Sequence, residues 1–210
     1  MPELQLHDLL LWTGAELLHT PEDAACLPQS VAGLCSDSRA VRPGSLFVAL
    51  IGEHFDGHDY LGQAIQQGAG GLLISSRQAW TALVTKVRMP GTASLPGLPV
   101  LFVPDTLAAM QAIAAGYRRS LSSPVIAITG SVGKTTTRQM VSACLQSALQ
   151  VHQTVGNLNN EIGLPQTLLQ AEPEDQAIVL EMGMRGPGEI ALLSQIARSE
   201  ERRVGKECSS

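Results

Sequence analysis

Gly130-Ser131-Val132-Gly133-Lys134-Thr135-Thr136 is the stretch whose residue types and spacing are best suited to chemistry. A nucleotide triphosphate carries several negative charges within a short distance. Glycines let the backbone wrap close and aim successive N–H groups at the oxygens. A helix starting at Lys134 adds partial positive charge at its first turn. Lys134 reaches the β- and γ-phosphates, and Thr135 offers a hydroxyl to Mg²⁺. ATP with Mg²⁺ is the expected ligand. The full form of such a loop is G-x-x-x-x-G-K-[ST], and Ile128 stands where its first glycine belongs. Glu181 is the natural complement, a carboxylate able to hold Mg²⁺ directly or through water. The plain alternatives are a glycine turn with an exposed lysine and a surface glutamate at a strand end.

These groups need strands and helices to hold them. Val125-Ile126-Ala127-Ile128-Thr129 is a continuous apolar run, as in a parallel strand covered on both faces. A helix is predicted from Lys134 to about Leu149. A further strand over Ala177-Ile178-Val179-Leu180 ends at Glu181, where ligands bind in open α/β sheets. A last helix is predicted over Gly188 to Ala197. Upstream, Leu6 to Leu18 has a helical apolar rhythm. Ser45 to Ile51, Gly71 to Ile74 and Val100 to Val103 read as strands. Tyr60 to Gln67 reads as a helix stopped by Gly68, and Asp105 or Thr106 caps another helix running to about Arg119. Arg88 to Pro99 reads as a loop, and Ser120 to Pro124 as a linker. Strands alternating with helices predict an α/β fold.

Composition narrows the class. A net charge of −5 gives no electrostatic reason to expect nucleic acid, and 3% aromatic residues leave little for base stacking. No run approaches the ~20 apolar residues that span a bilayer. The N-terminus lacks a basic n-region, and Asp8 interrupts its apolar stretch, so a cytoplasmic protein is expected. Cys26, Cys35, Cys144 and Cys208 form no C-x-x-C pair or zinc-type spacing and read as reduced thiols. The polar tail Glu200 to Ser210 breaks the pattern. It reads as a solvated end, or as foreign residues appended to a cut chain.

Several runs together resemble the Mur ligase family, which builds the peptide of bacterial peptidoglycan. Thr129 to Thr136 is similar to that family's ATP loop, which also lacks the first glycine. Gly156-Asn157-Leu158-Asn159-Asn160-Glu161-Ile162-Gly163-Leu164-Pro165 and Glu181-Met182-Gly183-Met184-Arg185-Gly186-Pro187-Gly188-Glu189-Ile190 look most like one member. That member joins D-alanyl-D-alanine to UDP-N-acetylmuramoyl-tripeptide. Ser36-Asp37-Ser38-Arg39, Pro43 to Leu50 and Gly52 to Asp59 resemble the family's UDP-sugar-binding domain.

The resemblance implies an N-terminal UDP-substrate α/β domain over residues 1–122, an incomplete parallel-sheet P-loop ATP-binding domain over 123–199, and an atypical tail over 200–210. It implies a monomeric ATP-dependent amide ligase. ATP would phosphorylate a carboxylate, and an amine would then attack the acyl phosphate. Gly130 to Thr136 would bind ATP, with Lys134 stabilising the transferred phosphoryl. Thr135 and Glu181 would bind Mg²⁺. Asp37, Ser38 and Arg39 would grip the UDP-sugar, and Asn157, Asn159 and Asn160 would line the cleft near the sugar-peptide. Asp37-Ser38 is also good turn chemistry, and the asparagines also suit a plain loop. His54 and His58 read as loop polar residues more than as catalysts. The family's remaining central domain, with a histidine and a modified lysine that help hold metal, and its C-terminal domain have no counterpart in these residues. An inactive fragment is therefore expected. The neighbouring ligase that adds the third amino acid stays open, as does a non-catalytic nucleotide-binding module. A switch GTPase would need an N-K-x-D run, which is absent.

Overall fold

The computed structural model describes residues 2–18, 28–87 and 97–199. Residues 88–96 of the expected loop, Cys26, Cys208 and the tail from Glu200 fall outside them. The chain forms two compact units, Pro2–Ile113 and Ala114 onward.

In the first unit β1 (Glu3–Gln5) runs into α1 (Leu6–Thr13), followed by β2 (Glu16–Leu18), β3 (Ser30–Ala32), β4 (Leu34–Cys35) and β5 (Leu46–Val48). A 3-10 turn over Gly57–Tyr60 leads into α2 (Leu61–Gln66), then β6 (Gly71–Ile74), α3 (Arg77–Val87), β7 (Val100–Phe102) and α4 (Thr106–Ser120). The unit boundary falls inside α4. The main sheet has the order β2-β7-β6-β5-β4, parallel except for β2, and β1 pairs antiparallel with β3. Every residue of β5 and β6 is buried, which explains why these strands read as unbroken apolar runs. Phe47, Leu72, Ile74 and Val100 share a core with Leu61 and Ala64 of α2. Each large side chain of this kind contributes about 2 kcal/mol by leaving water. The Asp105 carboxylate accepts from the N–H groups of Leu107 (2.8 Å) and Ala108 (3.0 Å) and so starts α4.

The helical rhythm from Leu6 to Leu18 is not one helix. Gly14 takes φ 63°, its N–H closes on Leu10 O, and α1 stops at Thr13. Glu16–Leu18 then pairs with Val100–Phe102 as a strand. An apolar run after a helix-ending glycine serves either period, and partner strand β7 decides the outcome.

The second unit contains the end of α4, β8 (Val125–Ile128), α5 (Lys134–Gln146), β9 (Val151–Gln153), α6 (Gly163–Leu168), β10 (Ala177–Glu181) and α7 (Glu189–Ala197). Its sheet is parallel with the order β8-β10-β9, so β10 is central and buried throughout. The Ser120–Pro124 stretch is tied down and is no loose spacer. Arg118, itself buried, donates to the carbonyls of Leu121 (2.8 Å), Ser123 (3.0 Å) and Ala197 (3.0 Å). Tyr117 adds a bond from its hydroxyl to Ala171 O at 2.8 Å. No helix among the described residues is long and apolar enough to cross a membrane.

Candidate functional site

A parallel sheet sends the carboxyl ends of its strands to one side. In the second unit the loop after β8, Thr154 after β9 and Glu181 at the end of β10 all stand on that side. Register makes this specific. Glu181 pairs with Ile128, the last strand residue before the glycine loop, and Met182 N donates to Ile128 O at 2.9 Å.

The loop itself has the backbone its glycines permit. Gly130 has φ 152° and Gly133 has φ 79° with ψ 1°, the second being a left-handed conformation that would strain a side-chain-bearing residue. Gly133 caps α5, and no side chain accepts from the first turn. The amides at the start of α5 are thus left for an anion. Ser131, Val132, Thr135 and Thr136 are exposed. Lys134 arches back across the loop, and its Nζ donates to Gly130 O at 2.8 Å. That is a local resting bond which incoming phosphate oxygens can replace.

Glu181 is almost fully buried, and its two oxygens are both engaged. Oε1 accepts from Asn159 Nδ2 at 2.9 Å, and Oε2 faces Arg138 Nε at 3.4 Å. Its backbone N–H donates to Thr154 Oγ1 at 3.0 Å. Arg138 also donates to Gln153 Oε1 at 3.1 Å and to Thr154 O. This arginine lies one helical turn beyond Lys134, on the same face of α5. Sequence reasoning passed over Arg138 and Thr154. The available signal was a charged residue on the stripe of α5 that must face an apolar sheet.

The three asparagines have separate situations. Asn159 holds Glu181, and its carbonyl accepts from Gly183 N at 2.8 Å. Asn160 Oδ1 accepts from Gly163 N at 2.8 Å and from Ile162 N at 3.3 Å, which organises the start of α6. Asn157 is exposed.

In the first unit Asp37 and Arg39 form a two-pronged ion pair. Asp37 Oδ1 accepts from Arg39 Nε at 3.0 Å and Oδ2 from Arg39 Nη2 at 2.8 Å. These bonds, with the Arg39 N–H bond at 2.9 Å, hold the Asp37 carboxyl down at about 2. Both side chains are open to solvent. Ser38 is buried, and its Oγ donates to Gln63 Oε1 at 3.2 Å. His58 is buried as well. Its Nε2 accepts from Ser75 N at 2.9 Å, so the ring proton lies on Nδ1, which faces Asp56 Oδ1 at 2.5 Å. Both ring nitrogens are spent on holding the loop, while His54 is exposed.

A glycine-rich turn leaving a parallel strand, a lysine at the helix start and a carboxylate abreast of it are the architecture of a P-loop α/β unit. Sequence comparison narrows the class. A model of the Mur ligase family catalytic domain matches residues 30–118, and a model of the Mur ligase middle domain matches residues 128–200. The chain belongs to the Mur ligase family. It is 43% identical over 168 residues to the UDP-N-acetylmuramoyl-tripeptide–D-alanyl-D-alanine ligase of Synechocystis, covering 80% of this chain and 34% of that protein. It is 40% identical to the Bacillus subtilis enzyme of the same name, covering 81% of this chain and 34% of that one. Among solved structures, MurF from Acinetobacter baumannii superposes with a TM-score of 0.79 at 29% identity, over 95% of this chain and 40% of that one. MurF from Thermotoga maritima in complex with ADP superposes at 0.64 and 30% identity, over 80% and 35%. The chain thus spans about a third of the length of the curated relatives it matches.

Proposed function

We propose that the second unit binds ATP at Gly130 to Thr136 and serves an amide ligase that joins D-alanyl-D-alanine to UDP-N-acetylmuramoyl-tripeptide. The observation that carries this reading is the register between β8 and β10, which sets Glu181 beside the start of the phosphate loop. The relatives' names and the ADP held by the Thermotoga maritima protein support it. Lys134, released from Gly130 O, would bind the terminal phosphates and stabilise charge on the transferred phosphoryl. Phosphorylation turns the tripeptide's poorly electrophilic carboxylate into an acyl phosphate, which the dipeptide amine attacks. ADP is the leaving group of the first step, and phosphate is expelled, with loss of a proton from the amine, as the amide forms.

The residues fit Mg²⁺. This ion is commonly held by one or two protein oxygens together with substrate phosphates. Thr135 Oγ1 and Glu181 are of that kind. Because Asn159 and Arg138 already occupy the carboxylate, a water-bridged contact suits Glu181 best. Mg²⁺ would neutralise phosphate charge there. Asp37, Ser38 and Arg39 are proposed to meet the UDP-sugar, Arg39 offering a guanidinium already oriented by Asp37. Asn157 is proposed to face the sugar-peptide. Asn159 and Asn160 would shape that side of the cleft through the bonds they make to Glu181 and Gly163. The domain division is proposed at residues 122/123, and the cytoplasm is the proposed location, where the nucleotide substrates are available.

The test has two arms. UDP-N-acetylmuramoyl-tripeptide and Mg·ATP are each expected to bind the 210-residue chain in titration calorimetry. The chain alone is expected to release ADP at background rate when D-alanyl-D-alanine is added, because it spans a third of its relatives. Absence of ATP binding in a folded sample would refute the site. Ligase-level ADP release would refute the expected lack of turnover.

A further inference from the structure

The pairing of Arg138 with Glu181 serves more than burial. Glu181 comes from the end of β10 and is 4% exposed at its side chain, while Arg138 comes from α5 and is 7% exposed. A carboxylate in so dry a place needs a compensating charge. The guanidinium that supplies it is not free to swing away, since it is also bonded to Gln153 Oε1 and to Thr154 O beyond β9. An arginine keeps its charge at any working pH and its fork is rigid. The carboxylate best placed to face a divalent cation therefore has a fixed monovalent cation built in beside it.

We propose that Arg138 is a positioning residue that competes with a divalent cation for Glu181, so that the site accepts the metal only together with nucleotide phosphates. This rests on the reading of Glu181 as the carboxylate that faces the metal. A bare dication approaching Glu181 meets an already neutralised group and a repelling neighbour in a water-poor setting. A triphosphate brings enough negative charge to offset both. Lys134, one turn earlier on the same helix face, is drawn off Gly130 O by the same phosphates. Metal and nucleotide then enter as one complex, and the carboxylate stays oriented between Arg138 and Asn159 throughout.

The experiment measures Mn²⁺ binding to the 210-residue chain by electron paramagnetic resonance, with and without ATP. The wild-type chain is expected to bind Mn²⁺ alone weakly and Mn·ATP well. Arg138→Gln keeps an amide for Glu181 but removes the charge, and it should bind Mn²⁺ alone about tenfold more tightly. Arg138→Lys should behave as wild type. The double variant Arg138→Gln with Glu181→Gln should lose the gain. A folded Arg138→Gln chain with wild-type affinity for Mn²⁺ alone overturns the inference. Glu181→Gln binding Mn·ATP as well as wild type overturns the reading of Glu181 beneath it. Should Arg138→Gln fail to fold by circular dichroism, the Arg138 Nε–H resonance of the wild-type chain decides. It should stay put on addition of Mg²⁺ alone and move with Mg·ATP, and movement with Mg²⁺ alone overturns the competition.

Discussion

Lys134→Ala is the perturbation whose size follows most directly from the structure. The wild-type ammonium gives up one exposed bond to Gly130 O, at 2.8 Å, when it turns to a phosphate. Two unit charges about 4 Å apart attract by roughly 4 kcal/mol at an effective dielectric of 20. Drying the lysine and losing its resting bond return about 1–2 kcal/mol. The net of about 2–3 kcal/mol corresponds to roughly 30–150-fold in affinity. With ATP at about 100 times the wild-type Kd, linkage stabilises the wild-type fold by about 2.7 kcal/mol. A variant binding roughly 100-fold more weakly retains only about 0.4 kcal/mol under the same conditions. For a unit of roughly 60–100 residues each kcal/mol moves Tm by about 4–8 °C. Differential scanning calorimetry should therefore show a rise of about 10–20 °C on adding Mg·ATP, reduced to about 2–3 °C in Lys134→Ala. Without nucleotide the two melts should nearly coincide, because the lost bond is exposed. An equal ATP-dependent rise in both proteins would refute the assignment of phosphate binding to this loop.

Other perturbations probe the rest of the frame. Asp37 should titrate at about 2 by side-chain NMR, and Arg39→Ala should raise it toward the ordinary carboxylate range, short of reaching it because the backbone N–H bond at position 39 remains. Since its folded-state pKa is depressed, the stabilisation from this pair is present above the unfolded value. It fades as pH falls toward about 2, and it is small because both groups are solvated. Arg118→Ala orphans the carbonyls of Leu121, Ser123 and Ala197. It should cost about 3 kcal/mol in urea unfolding, and a loss under about 1 kcal/mol would contradict the clamp described.

What could be read from sequence was local in origin. Val125 to Ile128 and Gly71 to Ile74 announce themselves because parallel strands are apolar on both faces. The phosphate loop is legible because Gly130 and Gly133 carry the positive φ angles it needs, and Lys134 is its neighbour. What could not be read depended on distant partners. Glu16–Leu18 became a strand because Val100–Phe102 lies beside it. Val151–Gln153 is short and carries His152 and Gln153, so no alternation marks it, yet it completes a sheet edge against β10. Arg138 looked like an ordinary helix charge, since Glu181, its partner, lies 43 residues further on. Asn159 and Asn160 drew attention as polar residues facing a cleft. Their amides are in fact engaged by Glu181 and by the start of α6, bonds that spacing alone does not reveal.

The pairing of Glu181 with Ile128 also governs which changes of chain length the unit can absorb. A residue gained or lost within Val125–Ile128 or Ala177–Glu181 would slip the register by one. That would turn the carboxylate to the opposite face of the sheet and carry it about 3.3 Å along the strand. The exposed corner at Pro173 and Glu174 lies at the other end of β10, before the strand begins. Residues added there lengthen a solvated bend and leave the pairing intact. Insertions and deletions tolerated during divergence should therefore collect at that far rim, while the two strands keep their length to the residue.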